Sequence, residues 1–253
     1  MINKEKWHPS KFEYKKGKLS ASRNVSELSV SSRLMVDIIA KLYDEYIPKY
    51  AKGKLVDLGC GKVPLYATYK DYITENICVD WGNSFHGIKY LDYECDLSQK
   101  LPFNDNEFDT VILSDVLEHI AEPEKLMTEI SRIMNYAGKL ILNVPFYYSL
   151  HEMPYDYYRY TEFALSRFIK LSNLRMVFLI PIGGAPEILT DILVKHIKSF
   201  PLIGKPISII LQKITFLFVR TSFGKRISEM TGKHFPFGYF LVAEKPDYNR
   251  SNV

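Results

Sequence analysis

The sequence has few of the residues that staple a fold or bind metal. It holds three cysteines, Cys60, Cys78 and Cys95, among 253 residues. Their odd number, with no CxxC and no Cys/His ligand spacing, excludes a disulfide framework and a zinc knuckle and fits a reducing compartment. No metal is expected. Long apolar runs are also missing. The longest uncharged stretch, 140–151, has 12 residues and contains Asn143 and Pro145, short of the ~18 apolar residues of a membrane-spanning helix. The first twenty residues carry six lysines and two glutamates without an apolar block, so no secretory leader is expected. An overall excess of one charge is absent as well. The net +4 arises in residues 183–234, which hold eight Lys or Arg against three acids. That segment lacks the basic and aromatic interleaving of a nucleic-acid module, and no DNA or RNA partner is expected. The expected location is cytoplasmic, with a peripheral place at the inner face of the membrane as the alternative that the basic segment raises.

What remains is an ordinary folding composition, 47% hydrophobic and 25% charged, in a chain whose length suits one α/β domain with insertions. Leu34, Met35, Ile38, Ile39, Leu42, Tyr43 and Tyr46 follow the three-four spacing of an amphipathic helix. β-rich runs follow at 55–58, 77–79, 88–91, 108–113, 140–144, 176–180 and 238–243. A helix is predicted over 122–136, with Pro123 near its start and Gly138 ending it. Strands alternating with helices imply a seven-stranded, mostly parallel sheet covered on both faces, with ligands bound beyond the carboxyl ends of its strands. The expected layout is a single domain over 1–253. It comprises an N-terminal helical extension (1–50), a core (52–182 and 235–246) and an apolar, basic helical insertion (183–234). In that insertion two helices, 188–197 and 207–219, are split by Pro201, Gly204 and Pro206. They form a hairpin packed on the domain or on a second subunit, a lid over an apolar acceptor, or a helix lying on an anionic membrane.

The chemistry lies just after the strands. Gly59-Cys60-Gly61 follows the first core strand, and glycines there permit a tight turn and close approach to a ligand. A dinucleotide fingerprint would place Gly or Ala at position 64, where this chain has Pro64. Asp57, two residues before the first glycine, would repel a pyrophosphate but suits an ammonium. Asp80 ends the second strand, about 20 residues past the glycines, where a carboxylate accepts ribose hydroxyls and the adjacent Trp81 can stack on adenine. Asp96 offers a further acid, suited either to an adenine amino group or to capping a turn.

Taken together, "VDLGCG", "CVDW", "CDLSQKLPFNDNEFDTVILSDVLEHI" and "AGKLILNVP" resemble the class I S-adenosylmethionine-dependent methyltransferases, in particular the type 11 methyltransferase family, from about residue 52 to 144. The resemblance implies a Rossmann-like fold and S-adenosylmethionine as cofactor. It implies that Asp57, Gly59, Cys60 and Gly61 line the methionine end, and that Asp80 with Trp81 takes the ribose and adenine. Asp96 and Leu97 would flank the adenine, and Ser114 and Asp115 would close the pocket. Val63 departs from the family, which often has glycine near that position. In "LEHI", His119 either holds the loop or acts beside the methyl group.

Residues 146–161 hold six of the eighteen tyrosines together with His151, Asp156 and Arg159. An aromatic cover for the sheet would not need interspersed charges. The expected acceptor contacts are Tyr147, Tyr148, His151, Tyr155, Tyr157, Tyr158 and Arg159, with His151, His119 or Asp115 as the catalytic group that assists a hydroxyl. The expected activity is O-methylation of a glycan, sugar-nucleotide or lipid-linked sugar. The alternatives are a lipophilic acceptor such as a quinone-like ring, or a cofactor-binding subunit without turnover. The expected partners are a small-molecule or glycan acceptor, with membrane contact or a homodimer formed through 183–234.

Overall fold

A computed structural model describes residues 1–82, 87 and 89–247. The first elements are β1 (Phe12–Lys15), β2 (Lys18–Ala21), α1 (Arg33–Tyr50), β3 (Gly53–Leu58), α2 (Tyr66–Tyr69), β4 (Ile73–Asp80), β5 (Tyr93–Glu94) and β6 (Phe108–Ser114). They are followed by α3 (Pro123–Ile133), β7 (Met134–Pro145), α4 (Glu162–Leu171), β8 (Arg175–Ile182), α5 (Ala185–Ile197), α6 (Gly204–Phe218), α7 (Ser222–Gly232) and β9 (Gly238–Glu244). The chain divides into two compact units.

The first unit comprises Met1–His8, Tyr46–Ile180 and Tyr239–Val253. Seven strands lie in the order β5-β4-β3-β6-β7-β9-β8, and the β5/β4, β4/β3, β3/β6 and β6/β7 pairs are parallel. The inner strands are continuous apolar runs because both faces are covered. Leu55, Val56, Leu58, Val111, Ile112, Leu113, Leu140 and Leu142 are all buried. From β3 the chain goes to β4 on one side and later to β6 on the other, so the crevice for a ligand opens at the carboxyl ends of β3 and β6. The expected seven-stranded α/β sheet is present, with three local differences. The third strand lies at Tyr93–Glu94, not 88–91; Lys89 and Tyr90 form a turn, and Ile88 lies outside the described residues. The helix predicted to Tyr136 ends at Ile133, because Met134 is already extended (φ −69°, ψ 138°). From there the chain enters a β7 of 12 residues that includes Gly138.

The second unit comprises Pro9–Glu45 and Pro181–Gly238, so the N-terminal extension and the insertion together build one body. The extension is not helical throughout. Lys16 (φ 52°) and Gly17 (φ 73°) make a two-residue turn with both φ positive, closing the β1/β2 hairpin before α1. The insertion has three helices, not two. α7 was not anticipated because Gly224 and Gly232 lower its propensity. Gly184, ahead of α5, approaches α7 so closely that a Cβ there would stand 2.3 Å from the Ser228 carbonyl oxygen. Buried polar groups stitch this unit. Gln212 accepts from Leu34 N (2.8 Å) and donates to the Val30 (2.9 Å) and Ser208 (3.0 Å) carbonyls. Glu187 takes Ser228 Oγ at 2.5 Å.

Candidate active site

The end of β3 turns sharply. Gly59 (φ 72°) and Gly61 (φ 50°) are left-handed, and a Cβ on Gly59 would meet Val116 Cγ2 at 2.4 Å. The glycine is therefore needed where the turn passes the loop after β6. Gly59 N and Cys60 N both donate to the Val79 carbonyl, at 2.8 and 3.1 Å. Val63 has φ 50° and is fully buried. It keeps the backbone conformation that glycine favours, under the strain a β-branched residue feels there. Trp7 braces this turn by donating from Nε1 to the Val63 carbonyl at 3.1 Å and stacking edge-on to Tyr66. Sequence reasoning missed this contact, since nothing local marks a tryptophan 56 residues away as its partner.

Two carboxylates flank the turn. Asp80 accepts Gly61 N at Oδ2 (2.9 Å) and Trp81 N at Oδ1 (2.8 Å). A carboxylate oxygen can accept more than one hydrogen bond, which suits Asp80 to a ligand hydroxyl. Asp57 is buried and accepts from the Tyr69 hydroxyl (3.2 Å). Burial raises the Asp57 carboxyl to about 7, Tyr69 opposing the shift and the Asp80 charge adding to it. Two acids packed together around a glycine turn are relieved by a cation. These groups fit the ammonium and ribose of S-adenosylmethionine: Asp57 for the first, Asp80 for the second. Asp96 is exposed and accepts Ser98 N at 2.9 Å, the turn-capping role, while Leu97 beside it is buried.

Ser114 ends β6 opposite Asn143 of β7, and Asp115 takes φ 54° to leave the sheet. Asn143 Nδ2 donates to Asp115 Oδ1, and Asp115 N donates back to the Asn143 carbonyl at 2.9 Å. Next comes a single 3-10 turn, Leu117–His119. Its Glu118 is fully buried, and neither carboxylate oxygen accepts a hydrogen bond. Sequence reasoning passed over Glu118, although it stood inside the "LEHI" string, because a glutamate followed by histidine reads as surface. Burial, opposed by His151 and reinforced by Asp115, raises its carboxyl above the ordinary range.

The segment after β7 folds over this turn. Tyr157 N donates to the Glu118 carbonyl (2.9 Å), Tyr160 Oη to that of Leu117 (2.9 Å), and Tyr158 Oη to that of Ala121 (2.9 Å). The Tyr155 ring stands edge-on to Trp81, with centroids 5.1 Å apart, which brings the expected acceptor segment onto the expected adenosine side. His151 and His119 meet ring to ring, 4.7 Å between centroids, and Tyr148 packs edge-on to His151. Burial alone would lower His151, but Glu118 and Asp156 outweigh it and hold the imidazole above the usual histidine range. A raised proton affinity leaves less of the neutral ring that a general base requires. Arg159, expected at the acceptor, is engaged within its own loop. Its guanidinium clasps Asp156 (2.5 and 2.7 Å) and reaches the Tyr148, Ser149 and Tyr158 carbonyls. Burial of Asp156 is outweighed by Arg159, which holds that carboxyl down at about 2. Tyr147, Tyr155, Tyr157 and Tyr158 are exposed.

The second unit has its own cavity, about 1020 Å³, floored by Leu34, Ile209 and Phe216. Lys41 and Arg220 both lie over the Phe216 ring, at 4.7 and 5.4 Å.

Residues 56–142 match the family model described as a methyltransferase domain, type 11. An uncharacterized protein of Methanocaldococcus jannaschii is 36% identical over 91 residues, which are 36% of this chain and 40% of that protein. The match therefore spans less than half the length of that curated relative. A S-adenosylmethionine-dependent methyltransferase from Archaeoglobus fulgidus superposes with a TM-score of 0.52 at 18% identity, covering 85% of this chain and 93% of its own. The [4+2]-cyclase SpnF superposes with a TM-score of 0.53 at 14% identity, over 83% of each chain. The fold is thus the class I one, which by itself leaves the reaction open. The family match adds what the fold cannot: residues 56–142 are similar to the methyltransferase domain of the type 11 family.

Proposed function

We propose that the whole protein transfers a methyl group from S-adenosylmethionine to a hydroxyl of a glycan, sugar-nucleotide or lipid-linked sugar. The cofactor supplies a methyl activated on a sulfonium, so the protein's task is to position it and orient the acceptor. Asp57 holds the ammonium, Asp80 fixes the ribose, and the Gly59–Gly61 turn allows close approach. The observation that carries the acceptor reading is the exposed tyrosine surface of residues 146–161, joined to the adenosine side through the Tyr155–Trp81 contact. Exposed aromatic faces beside hydroxyl donors suit sugar rings better than flat apolar rings, which would call for a closed apolar slot. Arg159 supports this surface by locking Asp156 and the loop.

The second unit favours the lipid-linked form. Lys41 and Arg220 over the Phe216 ring, with Asp37, Asp44 and Glu45 sharing the lining, give the cavity a charged rim for a polar head, and the apolar floor beside them suits a hydrocarbon chain. α5, α6 and α7 also expose Leu189, Ile210, Ile214, Leu217 and Phe223 among lysines and arginines. This face is suited to lie on an anionic membrane. Among the described residues no single helix is long and apolar enough to cross one.

The test is incubation with cofactor labelled at the methyl group and a panel of free sugars, sugar nucleotides, polyprenyl-linked sugars and quinols. Label should enter the sugar-bearing acceptors, most strongly the lipid-linked ones, as alkali-stable ethers. Labelling of quinols alone would overturn the acceptor assignment.

A further inference from the structure

The turn after β6 buries a carboxylate that accepts no hydrogen bond and has two histidines facing it. Glu118 is 0% exposed, and neither oxygen accepts a hydrogen bond. His119 Nε2 and His151 Nε2 each stand 3.8 Å from Glu118 Oε1. One donor atom from each of the three residues lies within 4.8 Å of the others. The outer nitrogens have acceptors beside them. His119 Nδ1 is 3.1 Å from the Tyr155 carbonyl oxygen; His151 Nδ1 is 3.2 Å from Asp156 Oδ2, which Arg159 clasps, but is not aligned to hydrogen-bond it. With Nδ1 of His119 donating to the Tyr155 carbonyl, the inward Nε2 of that neutral ring is a lone pair, and His151 Nε2 offers one when an arriving cation displaces its proton. Two lone pairs and a carboxylate then converge on one buried point, an arrangement that a cation satisfies. An ion with bonds of about 2.1 Å holds its donors about 3–4 Å apart, close to the separations found here. The carbonyl behind one histidine and the carboxylate behind the other are the outer partners that orient metal-bound imidazoles.

We propose that Glu118, His119 and His151 bind one divalent first-row transition ion, of the Mn²⁺ or Zn²⁺ kind, with open positions that take the acceptor's hydroxyl oxygen. Two imidazoles and one carboxylate suit such ions better than Ca²⁺ or Mg²⁺, which prefer all-oxygen shells. The bound ion acidifies a hydroxyl it holds, and the released proton passes to solvent. The acceptor-binding half of this proposal rests on the methyltransferase reading. The metal-binding half does not. The absence of ligand spacing among the cysteines hid the site from the sequence, since its donors are Glu and His, 33 residues apart at the widest, brought together by the fold.

The test is calorimetry of the full-length, tag-free, chelator-treated protein with MnCl₂ and with ZnCl₂, without cofactor. Wild type should bind one ion of at least one metal, and thermal unfolding should move upward with that metal. Glu118→Gln and His151→Ala should each lose at least tenfold in affinity and the thermal shift, while His234→Ala should keep both. S-adenosylhomocysteine affinity measured in Glu118→Gln should stay within about threefold of wild type, which shows that the variant is folded. No saturable binding of either ion, or equal binding by Glu118→Gln and wild type, would overturn the metal site. If the ion binds and S-adenosylhomocysteine does not, the cofactor reading falls and the metal site stands.

Discussion

If Asp57 takes the cofactor's ammonium as proposed, it sets the pH at which that end of the site is ready. Burial lifts its carboxyl to about 7 with Asp80 adding to the shift, so in the free protein it is protonated below neutrality. An ammonium ligand requires the ionised form, and binding below pH 7 must release that proton. The affinity for S-adenosylhomocysteine should tighten by up to tenfold per unit from about pH 5.5 to 7 and level off above about 7.5. Asp57→Asn should bind more weakly and without that slope; an unchanged slope in the variant would place the titration elsewhere. Asp57 and Asp80 could be picked out as ligand candidates in the sequence because one lies two residues before the Gly59 turn and the other ends β4, at the carboxyl edge of a parallel sheet. Glu118 was not legible, because its burial depends on the segment after β7 folding over the turn. Nor was the clasp of Arg159 on Asp156, three residues away in an irregular loop.

At the scale of elements, the crevice depends on how closely the β3 turn passes the loop after β6. Gly59 makes that approach, with Val116 where a Cβ would go. Gly59→Ala should cost about 1–2 kcal/mol for the left-handed backbone and about 1–3 kcal/mol more for the forced overlap. Urea unfolding checks this, with Gly17→Ala as the comparison. Gly17 has φ 73° with nothing within 4 Å of its Cβ direction, so only the backbone cost should appear. Equal losses in the two variants would show that the contact with Val116 is not tight. The strands of the core were readable as unbroken apolar runs. The short β5 was misplaced because two residues have no periodicity to read, and the boundary of α3 was missed because strand pairing with β6 took Met134 from the helix.

At the scale of the molecule, the sequence was read as a core with an extension and an insertion. Chain segments far apart instead combine into a second unit, Pro9–Glu45 with Pro181–Gly238. Only contacts such as that of Gln212 with Leu34, 178 residues apart, reveal it. Its exposed apolar helices and cations lead to an expected partition onto anionic vesicles, reversed by salt. Removing Lys213 and Arg220 together should weaken it, each charge being worth about 1 kcal/mol at such a surface. Binding that is insensitive to salt and charge, or absent, would leave that face to a second copy of the chain, which sedimentation would detect as a dimer. The first unit carries the central claim, that its glycine turn and paired acids hold a methyl donor and not a dinucleotide. Calorimetry of the wild type and of Asp80→Ala with S-adenosylhomocysteine and with NAD tests this most directly. The account predicts one S-adenosylhomocysteine per chain, at least tenfold weaker in Asp80→Ala, and no NAD binding. It is contradicted if wild type fails to bind S-adenosylhomocysteine, if Asp80→Ala binds it equally well, or if NAD takes the site.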